Sequence, residues 1–185
     1  TQQTDITGVS RRGLLKGAAS LPLAAAGLPL ASVLANPALA QMVAAAATEV
    51  SLQTQEWDLP VRASLSLPEV TPAPAVVLIH EWWGLNDQIK AVAAELAKLG
   101  YIALAIDLYG GEVATSVEMA TRLVGEVSEE AGVDTLKSWV NWLRGNPACS
   151  GKVAAVGWCF GGGWSLETAI EAPMDASIIY YGRVT

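Results

Sequence analysis

The chain has 185 residues, of which 52% are hydrophobic and 16% are charged, with a formal net charge of −7 at pH 7. This hydrophobic content excludes a disordered chain, and the negative charge argues against nucleic acid or an anionic membrane as a partner. Two cysteines exclude a disulfide framework.

The N-terminal region has the features of an export signal. Residues 10–16 read Ser-Arg-Arg-Gly-Leu-Leu-Lys, and no charged residue follows until Glu49. Ala38-Leu39-Ala40 is the small-x-small pattern that signal peptidases accept.

We therefore predict a twin-arginine-type signal peptide over residues 1–40, which engages the export machinery through residues 10–40 and is cleaved after Ala40. The expected destination is periplasmic or secreted. The alternative is an uncleaved transmembrane anchor, because the uncharged run is long enough to span a bilayer. Three prolines within that run disfavour a continuous helix.

Residues 41–185 alternate between apolar strands and amphipathic helices. Continuous β-branched runs such as AVVLI are typical of strands buried on both faces, and the strand–helix order requires a parallel sheet with right-handed crossovers. The chain is therefore predicted to belong to the α/β class. The predicted elements are one or two edge strands within Glu49–Leu67, strand Ala75–Ile79, a helix from Asn86 or Asp87 to Leu99, strand Tyr101–Ile106, two helices over 115–144 split near Gly132, strand Lys152–Val156, helix Gly161–Ala172 and strand Ala176–Tyr180.

The segment Gly157-Trp158-Cys159-Phe160-Gly161 follows a predicted strand and begins a predicted helix. This is the pattern of a nucleophile elbow, with cysteine in the usual serine position. The positive end of the helix dipole favours a thiolate, and the Phe160 N–H would face the oxyanion that develops on attack. The alternative is that Cys159 is a small buried hydrophobic residue.

The remaining thiol, Cys149, is interpreted as a loop residue with no role. A disulfide to Cys159 is excluded because the intervening strand would separate the two by roughly 15–20 Å, whereas a bridge needs Cα atoms within about 7 Å. One histidine and two separated cysteines predict no metal site, and the absence of a glycine-rich phosphate loop predicts no nucleotide cofactor.

Together these motifs resemble the dienelactone hydrolase family of α/β-hydrolases. The resemblance rests on the segments His80–Asn86, Gly100–Tyr109, Gly157–Gly161 and Tyr180–Gly182. It implies an α/β-hydrolase-type, mostly parallel sheet flanked by helices over residues 41–185. It also implies hydrolysis of a small-molecule lactone or small carboxylic ester through an acyl-enzyme.

The resemblance further assigns roles to particular residues. It implies that Cys159 is the nucleophile and that Glu81 is the carboxylate that contacts the thiol and controls its activation. The backbone N–H groups of Trp82 and Phe160 are implied as the oxyanion hole. A neighbouring carboxylate would raise the pKa of the thiol and keep it protonated until substrate arrives.

The chain also departs from the family pattern, in which an aspartate and then a histidine follow the cysteine. Only Asp175 and no histidine follow Cys159, and His80 is interpreted as a core or loop histidine and not as the base. We therefore expect a partial domain whose C-terminal part is missing, without acid or base, inactive alone and prone to aggregate through its last strand.

A second departure concerns the substrate. Family members carry an arginine two residues after Asp107-Leu108-Tyr109, where this chain has Gly110-Gly111. Without that contact to a substrate carboxylate, we expect a more apolar pocket, lined by Trp82, Trp83, Tyr109 and Trp164. The alternatives are a non-catalytic α/β-hydrolase-like binding protein and a thiol redox protein, although the latter would need a resolving cysteine.

Overall fold

The computed structural model describes residues 30–183, so the twin-arginine motif at Arg11 and Arg12 lies outside the described residues. From Ala73 onwards, the described part alternates strands and helices as the sequence predicts. Its elements are α1 (Leu30–Ala35), α2 (Pro37–Ala44), β1 (Thr48–Gln53), β2 (Pro60–Ser66), β3 (Ala73–Ile79), α3 (Asp87–Lys98), β4 (Ile102–Asp107), α4 (Val117–Glu126), α5 (Glu129–Gly145), β5 (Cys149–Trp158), α6 (Phe160–Glu171) and β6 (Ala176–Tyr180).

The strands form one mixed sheet in the order β1-β2-β4-β3-β5-β6. β4, β3, β5 and β6 are parallel to one another, while β2 runs antiparallel to both β1 and β4. The predicted α/β class and the mostly parallel sheet are therefore confirmed. Parallel strands place their carboxyl ends at one edge of the sheet, and this carboxyl edge is where open α/β sheets bind ligands.

Helices cover both faces of the sheet because the central strands are apolar on both sides. Val77 and Ile79 of β3 belong to a cluster that includes Leu136 and Trp139 of α5. Leu78, between them in sequence, belongs to a second cluster with residues of α3. Successive side chains of a strand point to opposite faces, so α5 and α3 lie on opposite sides of the sheet.

The two N-terminal helices pack on α3. Val33, Ala40 and Val43 form a buried cluster with Ala91, and the Asn36 side chain caps α2 by accepting from two backbone N–H groups. The predicted cleavage point after Ala40 therefore lies within α2, at a residue that is 1% exposed. Among the described residues, no helix is both long enough and apolar enough to cross a membrane.

The predicted split of the 115–144 region near Gly132 is wrong. The break lies at Val127 and Ser128, and the Ser128 side chain accepts from the Ala131 N–H to begin α5. Gly132 lies within α5, where the absence of a side chain leaves room for Trp164 of α6. A Cβ on Gly132 would lie 2.2 Å from Cη2 of the Trp164 ring.

Two smaller expectations are also corrected. The residues from Glu49 to Leu67 form two strands, but only β1 is at an edge, because β2 pairs with β1 on one side and β4 on the other. Cys149 is the first residue of β5 and not a loop residue. β6 is paired with β5, and its Ile178 and Tyr180 side chains are exposed.

We predict that Gly132→Ala destabilises the fold, whereas Gly125→Ala in α4 does not. Overpacking against Trp164 costs about 1–3 kcal/mol, which exceeds the gain of up to about 1 kcal/mol from helix propensity. A Cβ on Gly125 meets nothing within 4 Å, so this variant gains helix propensity without a cost from overpacking. Urea unfolding midpoints at constant m-value measure both; equal stabilisation of the two variants would contradict this packing.

Candidate active site

Cys159 occupies a tight turn between β5 and α6, at the carboxyl edge of the sheet. Its φ of 54° and ψ of −114° are unusual for a residue with a side chain, and its side chain is exposed. The Cys159 N–H donates to the Tyr180 carbonyl at 2.9 Å, which joins the turn to the end of β6. The strand–turn–helix arrangement that the elbow motif requires is therefore present.

Glycines allow the turn to pack backbone against backbone. A Cβ on Gly157 would lie 1.9 Å from the Gly161 carbonyl oxygen, and a Cβ on Gly161 would lie 2.2 Å from the Ile79 carbonyl oxygen. Neither position accepts any side chain. The first turn of α6 is consequently held directly against the end of β3, beside the loop that carries Glu81.

Glu81 is half-buried and is held by Tyr181, a residue that the sequence analysis did not select. The Tyr181 hydroxyl donates to Glu81 Oε1 at 2.5 Å. This hydrogen bond raises the pKa of Tyr181 to about 12, although most of the Tyr181 side chain is exposed. The sequence signal that could have identified Tyr181 is its position just after the last predicted strand, where parallel strands bring their carboxyl ends together.

The amides of Trp82 and Phe160 are available as donors. Phe160 is the first residue of α6, so its N–H has no acceptor within the helix. The Trp82 N–H has no acceptor among residues 30–183, while the Trp82 carbonyl accepts from the Tyr109 hydroxyl at 3.2 Å. Both amides belong to the segments that Gly161 packs together.

His80 is fully buried at the end of β3. Its Nδ1 lies 2.6 Å from the Glu81 carbonyl oxygen, and its Nε2 accepts from the Leu108 N–H at 3.1 Å. Burial lowers the pKa of the ring, against smaller raising effects of the Glu81 carbonyl and the Asp107 charge. Both nitrogens are engaged, and His80 is a core residue at the end of β3, as the sequence analysis expects.

Asp175, the only aspartate after Cys159 in the sequence, lies at the opposite end of β6 from the Cys159 turn. Asp175 immediately precedes β6, at the amino end of that parallel strand, and accepts from Lys152 Nζ at 2.7 Å and from the Val153 N–H at 2.9 Å. These bonds lower the pKa of Asp175. Cys149 and Cys159 are both free and lie at opposite ends of β5. Within residues 30–183, no cluster of three or more His, Cys, Asp or Glu residues could hold a metal.

The aromatic residues predicted to line the pocket are engaged in packing. Tyr109 is buried, with its ring 4.6 Å from His80 and 5.6 Å from Phe160. Trp164 is half-buried and contacts Phe160, at 6.2 Å between ring centroids. Trp83 lies against Trp82 at 5.0 Å. These rings form the apolar support beneath the carboxyl edge.

A guanidinium lies next to the Gly110-Gly111 turn. The position of a Cβ on Gly111 would be 3.0 Å from Nη1 of Arg62, which extends from β2. Arg62 and Asp107 border two cavities of about 230 and 510 Å³. The positive charge at this turn is therefore supplied by β2, and the turn itself has no side chains.

A nucleophile elbow at the carboxyl edge of a mostly parallel, helix-flanked sheet defines the α/β-hydrolases. Within that class, the chain belongs to the dienelactone hydrolase family, whose family model matches residues 61–185.

Individual relatives agree with this assignment. The chain is 30% identical over 129 residues to a carboxymethylenebutenolidase of Pseudomonas putida, covering 65% of this chain and 55% of that protein. It is 28% identical over 163 residues to a putative carboxymethylenebutenolidase of Saccharolobus solfataricus, covering 66% and 62%. The chain thus spans 55–62% of the length of these two curated relatives.

Solved structures give the same result. The protein called m3DLH has a TM-score of 0.66 at 27% identity, over 75% of this chain and 61% of that one. A dienelactone hydrolase-like promiscuous phosphotriesterase from metagenomic libraries has a TM-score of 0.62 at 31% identity, over 74% and 59%.

We predict that Glu81→Gln lowers the pKa of Tyr181 from about 12 towards the ordinary tyrosine value of about 10. A carboxylate beside the phenol disfavours the phenolate, so removing its charge makes deprotonation easier. Ultraviolet absorbance titration measures the shift, and Tyr181→Phe in both backgrounds identifies the transition. An unchanged titration curve in Glu81→Gln would show that the two groups are not coupled.

Proposed function

We propose that the chain provides the nucleophile of a hydrolase that acts on lactones or small carboxylic esters. The observation that carries this proposal is the exposed Cys159 thiol on a positive-φ turn, with the unpaired amides of Trp82 and Phe160 nearby. Family membership supports the same reaction class.

In the proposed acylation, the sulfur of Cys159 attacks the carbonyl carbon and a C–S bond forms. The carbonyl oxygen becomes an oxyanion that accepts from the Trp82 and Phe160 N–H groups. The C–O bond then breaks and the thiol proton ends on the leaving oxygen, which opens the ring when the substrate is a lactone. Water cleaves the thioester in a second step, releasing the carboxylic acid and restoring the thiol.

Glu81 controls the thiol in this proposal. Its carboxylate lies on the loop that Gly161 holds against the Cys159 turn, where it would contact the thiol until substrate arrives. The hydrogen bond from Tyr181 holds the carboxylate in place. Substrate that displaces Tyr181 or Glu81 would therefore change that contact.

No histidine among residues 30–183 is free to act as the base of the second step. The sequence contains one histidine, and both nitrogens of His80 are engaged in hydrogen bonds. We therefore propose that residues 1–185 alone acylate once and release product slowly, since the loss of a triad base costs several orders of magnitude in rate. The same observation favours the second candidate, a non-catalytic α/β-hydrolase-like binding protein.

We predict that p-nitrophenyl acetate releases one nitrophenolate per chain in a burst, followed by slow turnover, and that mass spectrometry finds the acetyl group on Cys159. Cys159→Ser is expected to abolish the burst, whereas Cys149→Ser retains it, because Cys149 lies at the other end of β5. If Cys159 and Cys149 are acetylated at equal rates, the site is not an activated nucleophile and the binding-protein candidate is favoured.

We further propose that the chain is exported through its twin-arginine motif. Replacing Arg11 and Arg12 together by lysine is predicted to leave the protein in the cytoplasm of the expressing bacterium, because the motif is an address read by a receptor. Cell fractionation with immunoblotting measures this. Undiminished export of the double variant would contradict the proposal, and N-terminal sequencing of the exported protein tests cleavage after Ala40.

A further inference from the structure

The single histidine of the chain joins the loops that follow two neighbouring strands. We propose that His80 is a positioning residue for the oxyanion hole, since its Nδ1–H group fixes the peptide whose other end is the Trp82 N–H. This inference rests on the proposed function, in which that N–H stabilises the oxyanion.

The geometry of the peptide group supplies the first step. The Glu81 carbonyl and the Trp82 N–H belong to the same planar unit, and in a trans peptide they point in opposite directions. His80 Nδ1 binds the Glu81 carbonyl at 2.6 Å, and the Gly84 N–H also donates to it at 3.1 Å. These two bonds fix one side of the plane and leave the Trp82 N–H directed away from the buried ring.

The tautomer of His80 follows from its second partner. The Leu108 N–H donates to Nε2 at 3.1 Å, so Nε2 carries no proton. A neutral imidazole then has its proton on Nδ1, where the Glu81 carbonyl accepts it. Burial of the ring keeps it neutral. The Leu108 N–H, which follows β4, therefore determines that Nδ1 is the nitrogen that donates to the loop after β3.

His80 also contacts the segment that supplies the second proposed donor. The Phe160 ring stacks on the His80 ring, with a centroid distance of 5.9 Å and an interplanar angle of 22°. A Cβ on Gly161 would lie 2.4 Å from the His80 carbonyl oxygen. One buried residue thus contacts both segments that carry the amides of the proposed oxyanion hole.

Two variants each keep one of the two hydrogen bonds of the His80 ring and remove the other. In His80→Asn the amide nitrogen replaces Nδ1 and keeps the donor to Glu81. In His80→Gln the amide oxygen replaces Nε2 and keeps only the acceptor for Leu108. We expect His80→Gln to slow acylation of Cys159 by p-nitrophenyl acetate roughly 10- to 100-fold, because complete loss of an oxyanion donor lowers the rate about 100- to 1,000-fold. The acylation rate of His80→Asn is expected to remain close to that of wild type.

Alkylation of Cys159 by iodoacetamide serves as the parallel readout, because it needs the thiolate but forms no oxyanion. We expect both variants to be alkylated at the wild-type rate. Equal acylation rates in His80→Gln and wild type would overturn the inference, and so would equal losses in both variants, which would assign the effect to ring packing. If wild type itself is not acylated at Cys159, the proposed function fails instead.

The tautomer can be measured without any substitution. The two-bond ¹H–¹⁵N NMR spectrum of the one imidazole in the chain is predicted to show a protonated Nδ1 and an unprotonated Nε2 in wild-type protein. A proton on Nε2 would leave Nδ1 without a hydrogen to donate to Glu81 and would overturn the inference even if the variants fail to fold.

Discussion

The carboxyl edge of this sheet depends on backbone packing that only glycine permits. Gly157 at the end of β5 contacts the Gly161 carbonyl, and Gly161 in turn contacts the carbonyls of Ile79 and His80 at the end of β3. Any side chain at either glycine would have to separate the two strands or displace α6. This contact places the Cys159 turn beside the loop that carries Glu81 and Trp82.

Once the backbone is fixed, the electrostatics of the site are set by a small number of groups. Cys159 lies at the N-terminal end of α6. The Glu81 carboxylate accepts a hydrogen bond from the Tyr181 hydroxyl. His80, neutral and buried, adds no charge of its own and instead orders the backbone.

Local hydrophobic patterns in the sequence located most helices and strands, but not the side-chain contacts between them. The runs at Ala75–Ile79 and Tyr101–Ile106 marked β3 and β4 to within two residues, because strands buried on both faces are continuously apolar. Gly132 was misread as a break because its partner, Trp164, lies on another helix. The Tyr181–Glu81 bond joins residues 100 positions apart, and the His80–Leu108 bond joins residues 28 apart. Such pairings are set by the folded sheet and leave no local periodicity in the sequence.

The most direct test of an oxyanion hole at the elbow is the infrared carbonyl stretch of a ¹³C-labelled acetyl thioester on Cys159. Two backbone N–H donors aimed at the carbonyl oxygen would polarise the C=O bond and lower its stretching frequency. We therefore predict a lower frequency at Cys159 than for the same thioester on Cys149 in the same chain. The difference is expected to disappear on unfolding. Identical frequencies at the two cysteines would mean that the amides of Trp82 and Phe160 do not converge on the acyl group, and the proposed acyl-transfer site would be contradicted.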